Sequence, residues 1–185
     1  VPSRRVGTDV APSDWNALID DPDVLVLDTR NRYETKVGGF AGAVDPEIDS
    51  FTDFKAYVET ALDPAEHRKV AMFCTGGIRC EKASAYMLSK GFESVFHLKG
   101  GILQYLEDVP QEVSRWEGDC YVFDGRVAVG HGLARTDWTA CYGCGQPLSP
   151  EERADPAFEE GVSCAHCIDR LTGEKAASLR ERQRQ

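Results

Sequence analysis

The chain has 185 residues, 42% hydrophobic and 28% charged, the balance of a folded protein with one ordinary domain and a small appendage. Its 31 acidic against 21 basic residues, a net charge of −10, argue against a strong non-specific nucleic-acid binder. No apolar run nears the roughly 20 residues of a membrane helix and no secretory signal is visible, so no membrane partner is expected.

In chain order, residues 12–19 read as a helix with Pro12 in its first turn, ended by Asp20-Asp21-Pro22-Asp23. Residues 24–27 form a continuous apolar run, as in a strand buried on both faces. Phe51, Phe54, Val58 and Leu62 recur at helical spacing. Residues 70–73 are a second buried strand, with Cys74 at its end. Thr75-Gly76-Gly77-Ile78-Arg79 follows as a short loop, then a helical pattern over 80–88 stopped by Lys90-Gly91. A third strand over 94–98 and a helix from Gly101 to Glu107 complete the series, with Pro110 beyond. Strand–helix alternation over residues 1–118 predicts an α/β domain, a parallel sheet with helices on both faces. Ligands of such sheets sit at the strand carboxyl ends, where Cys74 stands.

The character changes over 119–185. Tyr121-Val122-Phe123, Asp124-Gly125 and Val127-Ala128-Val129 read as a hairpin with an Asp-Gly turn. Two Cys-x-x-Cys pairs follow, Cys141 with Cys144 and Cys164 with Cys167, nineteen residues apart. This spacing predicts a tetrahedral, structural zinc site, because each tight knuckle aims two sulfurs at one ion. The region has few large apolar residues, so a metal would hold its shape. A redox dithiol pair and an iron–sulfur cluster are the competing readings. His166 lies between two ligands as a bystander, and Gly143 and Gly145 suit the turn. Residues 174–185 form a charged helix or frayed tail, and Arg180, Arg182 and Arg184 read as its solvated end.

Seven cysteines, odd in number and clustered, fit metal and thiol chemistry in a reducing, cytoplasmic compartment better than a disulfide framework. Cys74 is the candidate nucleophile. Inward backbone N–H groups of residues 75–79 make an anion cradle, and with Arg79 they favour thiolate over thiol. Thr75, Gly76, Gly77 and Ile78 form that cradle, and its glycines allow close approach to a ligand. The plain alternative is that Cys74 is a small core residue. Arg79 reads either as the holder of an incoming anion or as the partner of a nearby carboxylate. Cys80 reads equally as a resolving thiol for Cys74 or as helix packing. Asp28, Arg30 and Glu34 are expected to hold structure, and Cys120 to be a core cysteine. His67, His97 and His131 offer no ligand spacing. No organic cofactor motif is evident.

Several segments together resemble the rhodanese family. Asp28-Thr29-Arg30-Asn31-Arg32-Tyr33-Glu34 is similar to its Asp-x-Arg-x-x-x-Glu motif. Gly39-Phe40-Ala41-Gly42-Ala43 resembles Gly-His-Ile-x-Gly-Ala, with glycine at the histidine position. Cys74 to Arg79 resembles the six-residue active loop, and Leu98-Lys99-Gly100-Gly101 with Tyr105 the closing Leu-x-Gly-Gly-x-x-x-Trp motif, with tyrosine for tryptophan. The likeness covers roughly residues 6–110. Cysteine phosphatases place arginine six residues after the cysteine, and Arg79 is five after Cys74, which argues against that chemistry.

Residues 74–84, and Gly161-Val162-Ser163-Cys164-Ala165-His166-Cys167, further resemble one rhodanese subgroup, the oxygen-dependent tRNA uridine(34) hydroxylases. The resemblance implies C5 hydroxylation of the wobble uridine, with molecular oxygen as co-substrate, tRNA as partner and Cys74 as the essential thiolate. It also implies a further N-terminal domain, which this chain, starting at Val1, lacks. A persulfide-forming sulfurtransferase and a non-catalytic binding module are the other function classes that the fold would allow.

Overall fold

The computed structural model of the protein describes residues 5–185. Its contacts divide the chain into two compact units: one runs to Tyr121 and includes Gly130–Ala134, the other comprises Val122–Val129 and Arg135–Gln185.

The first unit has, in order, Thr8–Val10 (β1), Pro12–Ile19 (α1), Val24–Asp28 (β2), Arg32–Thr35 (α2), Gly38–Phe40 (β3) and Phe51–Ala61 (α3). Lys69–Phe73 (β4), Ile78–Ser89 (α4), Ser94–Leu98 (β5), Gly101–Asp108 (α5), Trp116–Gly118 (β6) and Cys120–Tyr121 (β7) follow. Four strands form a parallel sheet in the order β1-β5-β4-β2. The two apolar runs of the sequence are β2 and β4, as expected of strands buried on both faces, and the third expected strand is β5. Edge strand β1 escaped the pattern because Thr-Asp-Val is short and largely exposed. The glycine-rich segment at 38–40 is also a strand, paired antiparallel with β6.

Side chains of β4 alternate between the faces. Val70, Met72 and Cys74 join Phe54 and Val58 of α3 and Ala83 and Met87 of α4 in one core. Phe73 points the other way, into an aromatic cluster. Phe40 lies at its centre, edge-on to Phe73 and Tyr105 at 4.8 Å and to Trp116 at 4.9 Å, and tilted against Trp15 at 5.8 Å. Rings of this size bury about 150–250 Å² each, and edge-to-face pairs favour this arrangement. Tyr105 uses its hydroxyl as well: it donates to Asn16 Oδ1 at 2.6 Å and accepts from Arg115 N at 2.8 Å. That ties α5 to α1 and to the start of β6.

The second unit has Ala128–Val129 (β8), Thr139–Ala140 (β9), Pro147–Leu148 (β10), Pro150–Arg153 (α6) and Gly173–Gln183 (α7). Strands β9 and β10 pair antiparallel and carry the first cysteine pair between them. The core here is small: Leu148 packs with three buried cysteines, and Val162 with Ala176 and Leu179 of α7. The tail is therefore a docked helix rather than a frayed end, with Arg180 paired to Glu159 at 2.7 and 2.8 Å. The expected two-residue Asp-Gly turn is a wider one. Val122 N–H donates to Val127 O at 2.9 Å, and Val127 N–H to Asp124 O at 3.1 Å. The left-handed residue is Val127 (φ 65°), not Gly125. The Asp124 carboxylate accepts from the backbone and guanidinium of Arg126, which fixes this form.

Candidate functional site: a cradled thiol pair and a four-sulfur cluster

Cys74 stands at the carboxyl end of the central strand β4, and α4 begins four residues later. Gly77 N–H donates to Cys74 Sγ at 3.1 Å. The loop is held open from behind by the N-terminus of α5, where Ile102 N–H donates to Cys74 O at 3.0 Å and Leu103 N–H to Thr75 O at 3.1 Å. With the Cys74 and Thr75 carbonyls turned toward α5, the Gly77 and Cys80 amides face the sulfur. Gly101 makes this approach possible, since a Cβ there would lie 2.4 Å from Thr75 O and 2.7 Å from Cys74 O.

Cys74 is 1% exposed and Cys80 is fully buried, and neither is in a disulfide. A hydrogen bond with the Cys80 thiol is the largest influence on Cys74. It outweighs burial and, with the Cys80 and Gly77 N–H groups and the Arg79 charge, holds the Cys74 pKa down to about 6. Cys80 moves the other way: burial, then the Cys74 interactions, push it well above the ordinary thiol range. Of the pair, Cys74 is therefore the more acidic thiol. Thr29 Oγ1, which donates to Phe73 O at 2.9 Å, stands 3.6 Å from Cys80 Sγ.

Arg79 is tied to a carboxylate. Its Nη1 and Nη2 donate to Glu34 Oε2 and Oε1 at 2.6 and 2.7 Å. Glu34 is fully buried and also accepts from Thr75 Oγ1 at 3.3 Å and from Asn31 N–H at 3.0 Å. Asp28 and Arg30 form a second buried pair, at 2.8 Å, and Arg30 Nη2 also donates to Gly38 O at 2.7 Å. Gly76 and Ile78 are exposed at the mouth of the loop, Ile78 to 81%. Cys120 is a buried thiol pushed up to about 12, mainly by burial, which makes it a poor nucleophile.

The second unit gathers Cys141, Cys144, Cys164 and Cys167, whose sulfurs all lie within 4.8 Å of one another. Cys141 and Cys167 are 3.9 Å apart, Cys144 and Cys164 3.7 Å, and Cys164 and Cys167 3.9 Å. A tetrahedral ion with bonds of about 2.3 Å would set its sulfurs ~3.8 Å apart, so the four residues fit a metal such as zinc, and they are far beyond the ~2.05 Å of a disulfide. Gly143 brings the knuckles together: a Cβ there would lie 2.2 Å from Val162 O. His166 is turned outward and bound to Glu152 at 2.7 Å. Among the described residues no helix is long and apolar enough to cross a membrane.

Residues 11–108 match the rhodanese-like domain family. The chain is 62% identical over 183 residues to a Deinococcus radiodurans protein named tRNA uridine(34) hydroxylase, covering 99% of this chain and 61% of that protein. The chain thus spans about three fifths of the length of this curated relative. Among solved structures, the rhodanese-like domain of an Anabaena protein superposes with a TM-score of 0.49 at 20% identity, covering 60% of this chain and 78% of that one. A rhodanese homologue from Thermus thermophilus gives 0.40 at 23% identity, covering 52% and 98%.

Proposed function

We propose that this chain, which belongs to the rhodanese-like domain family, is the thiolate-bearing part of an oxygen-dependent tRNA uridine(34) hydroxylase. The observation that carries the reading is a thiolate held at about pKa 6 in a cradle of this family, in a chain 62% identical to a protein bearing that name. The substrate is the wobble uridine of tRNA, and the setting is cytoplasmic.

The chemistry follows from the thiolate. Cys74 Sγ adds to C6 of the uracil ring, forming a C–S bond, and the C5=C6 electron pair moves toward C5 and the C4 oxygen. C5 then becomes the electron-rich carbon at which the ring is hydroxylated. Departure of the thiolate with loss of the C5 proton restores the ring. Molecular oxygen is the co-substrate: one of its atoms enters at C5 as the hydroxyl and the other leaves as water, with two electrons and two protons drawn from a reductant of the thiol class, which ends as a disulfide. Cys80 donates to Cys74 and keeps it ionised, Arg79 orients the loop through Glu34, and Thr75, Gly76, Gly77 and Ile78 form the cradle. Cys141, Cys144, Cys164 and Cys167 hold a structural zinc ion: four thiolates leave no open position for catalysis. The N-terminal domain that such hydroxylases add to this part would contribute to tRNA binding.

The test is nucleoside mass spectrometry of tRNA from a deletion strain complemented with the full-length protein or its Cys74→Ala form. The expected result is 5-hydroxyuridine restored by the first and not by the second. Unchanged uridine with both would overturn the reading. The six-residue loop also suits a persulfide, so a sulfurtransferase is the second reading. It predicts one added sulfur on Cys74 after thiosulfate treatment, seen by intact-protein mass spectrometry and lost in Cys74→Ala.

A further inference from the structure

A cavity of about 200 Å³ opens beside the thiol pair, lined by Thr29, Asn31, Phe51, Phe54, Arg79 and Lys82 among others. Cys74 does not line it, so it is a neighbour of the reacting position and not that position itself. The link to the chemistry runs through Thr29, 3.6 Å from Cys80 Sγ, and through Arg79, which braces the loop.

Its composition sets it apart. The lining carries Lys82 and no carboxylate, its other cation Arg79 being forked onto the buried Glu34, in a chain with 31 acidic and 21 basic residues. The larger cavity of the second unit, about 650 Å³, is lined by Asp124, Glu159 and Glu160 against Arg153. Asp53, on the same helix as Phe51, is turned to its own N-terminus, where it accepts from Asp49 N–H at 3.0 Å. At the cavity Phe51 and Phe54 stack at 5.8 Å and 22°. The Lys82 ammonium lies 4.2 Å from the Phe51 ring centroid and that of Lys55 5.3 Å. An aromatic platform with ammonium groups on it is how single-stranded nucleic acid is held, the ring taking a base and the cations the flanking phosphates. The volume is below the ~300–1,000 Å³ of sites for drug-sized ligands and suits one small ring.

We propose that this cavity binds a nucleobase of the RNA, that of a nucleotide adjoining the uridine presented to Cys74. The base lies on Phe51, and the Lys82 and Lys55 ammonium groups move from the ring to the adjoining phosphates. The inference rests on the tRNA reading and deepens it by naming where the second nucleotide sits.

Steady-state hydroxylation of an anticodon stem-loop RNA by the full-length protein tests it, with Phe51→Ala, Phe51→Trp and the exposed Lys82→Ala compared with wild type. Phe51→Ala should raise KM for the RNA about tenfold and Lys82→Ala several-fold, the scale of losing one base stack or one phosphate contact. Phe51→Trp should keep a low KM. The kcat and the rate of Cys74 alkylation should stay at wild-type values, which a merely structural role for Phe51 would not allow. A wild-type KM in both Phe51→Ala and Lys82→Ala would overturn the cavity assignment while leaving the tRNA reading intact. Absence of 5-hydroxyuridine with the wild-type protein would overturn both.

Discussion

Arg79 gives both Nη groups to the two oxygens of Glu34, a residue 45 positions earlier in the chain. Glu34 is fully buried, whereas the Arg79 side chain is 36% exposed. The fork thus fastens the Cys74 loop to α2, and Thr75 and Asn31 fasten to the same carboxylate. An arginine spent in this way braces the cradle and is not free to grip an incoming anion with both Nη groups.

Glu34→Gln should therefore act through the loop. It removes the charge that a partly buried guanidinium faces, at a cost of about 2–3 kcal/mol, below the full value for a wholly buried pair because Arg79 is partly solvated. Urea denaturation checks the stability. Cys74 alkylation should slow in the same variant, since the bracing of residues 75–79 is lost.

The acidity of Cys74 rests first on its neighbour. At pH 7 a thiol with a pKa of about 6 is mostly thiolate, and its alkylation rate by iodoacetamide should rise with pH through a midpoint near 6. In Cys80→Ala the donor to the thiolate is gone, so the midpoint should move up toward the ordinary thiol range and the rate at pH 6 should fall. Cys80→Ser keeps a donor and should stay nearer to wild type. An unmoved midpoint in Cys80→Ala would remove Cys80 from the account.

Gly101→Ala tests the brace behind the loop. The residue has φ +68°, and a Cβ would meet Thr75 O at 2.4 Å. The left-handed backbone alone costs an alanine about 1–2 kcal/mol, and the contact forces α5 and the loop apart. Expected outcomes are a lower urea midpoint and slower Cys74 alkylation. The exposed Gly125, with nothing within 4 Å of a built Cβ, should accept alanine with no change in either.

Metal analysis of the purified full-length protein should find one zinc ion per chain held by the four cysteines. Stripping it with a strong chelator should abolish hydrogen-exchange protection over residues 139–167 and leave protection in β4 intact, because the sheet has its own core. Cys144→Ser should bind zinc more weakly and lose it at lower chelator concentration.

Much of this was legible in the chain. Continuous apolar runs mark strands buried on both faces, so β2 and β4 stood out, and with them the position of Cys74 at a strand end. Cys-x-x-Cys spacing marked the four-sulfur cluster for a similarly local reason: the knuckle turn is set within four residues. Strands β1 and β3 were not legible, because a three-residue edge strand and a glycine pair carry no apolar periodicity.

The sequence by itself determined the parallel sheet, the strand-end position of Cys74 and the grouping of the four distal cysteines, since each is written in patterns a few residues long. Only the tertiary structure decided the roles around the thiol. That Arg79 meets Glu34, and that Phe51 and Lys82 wall a cavity with Thr29, depend on residues far apart in the chain. Packing of α2, α3 and α4 against the sheet brings them together, and no local spacing encodes that.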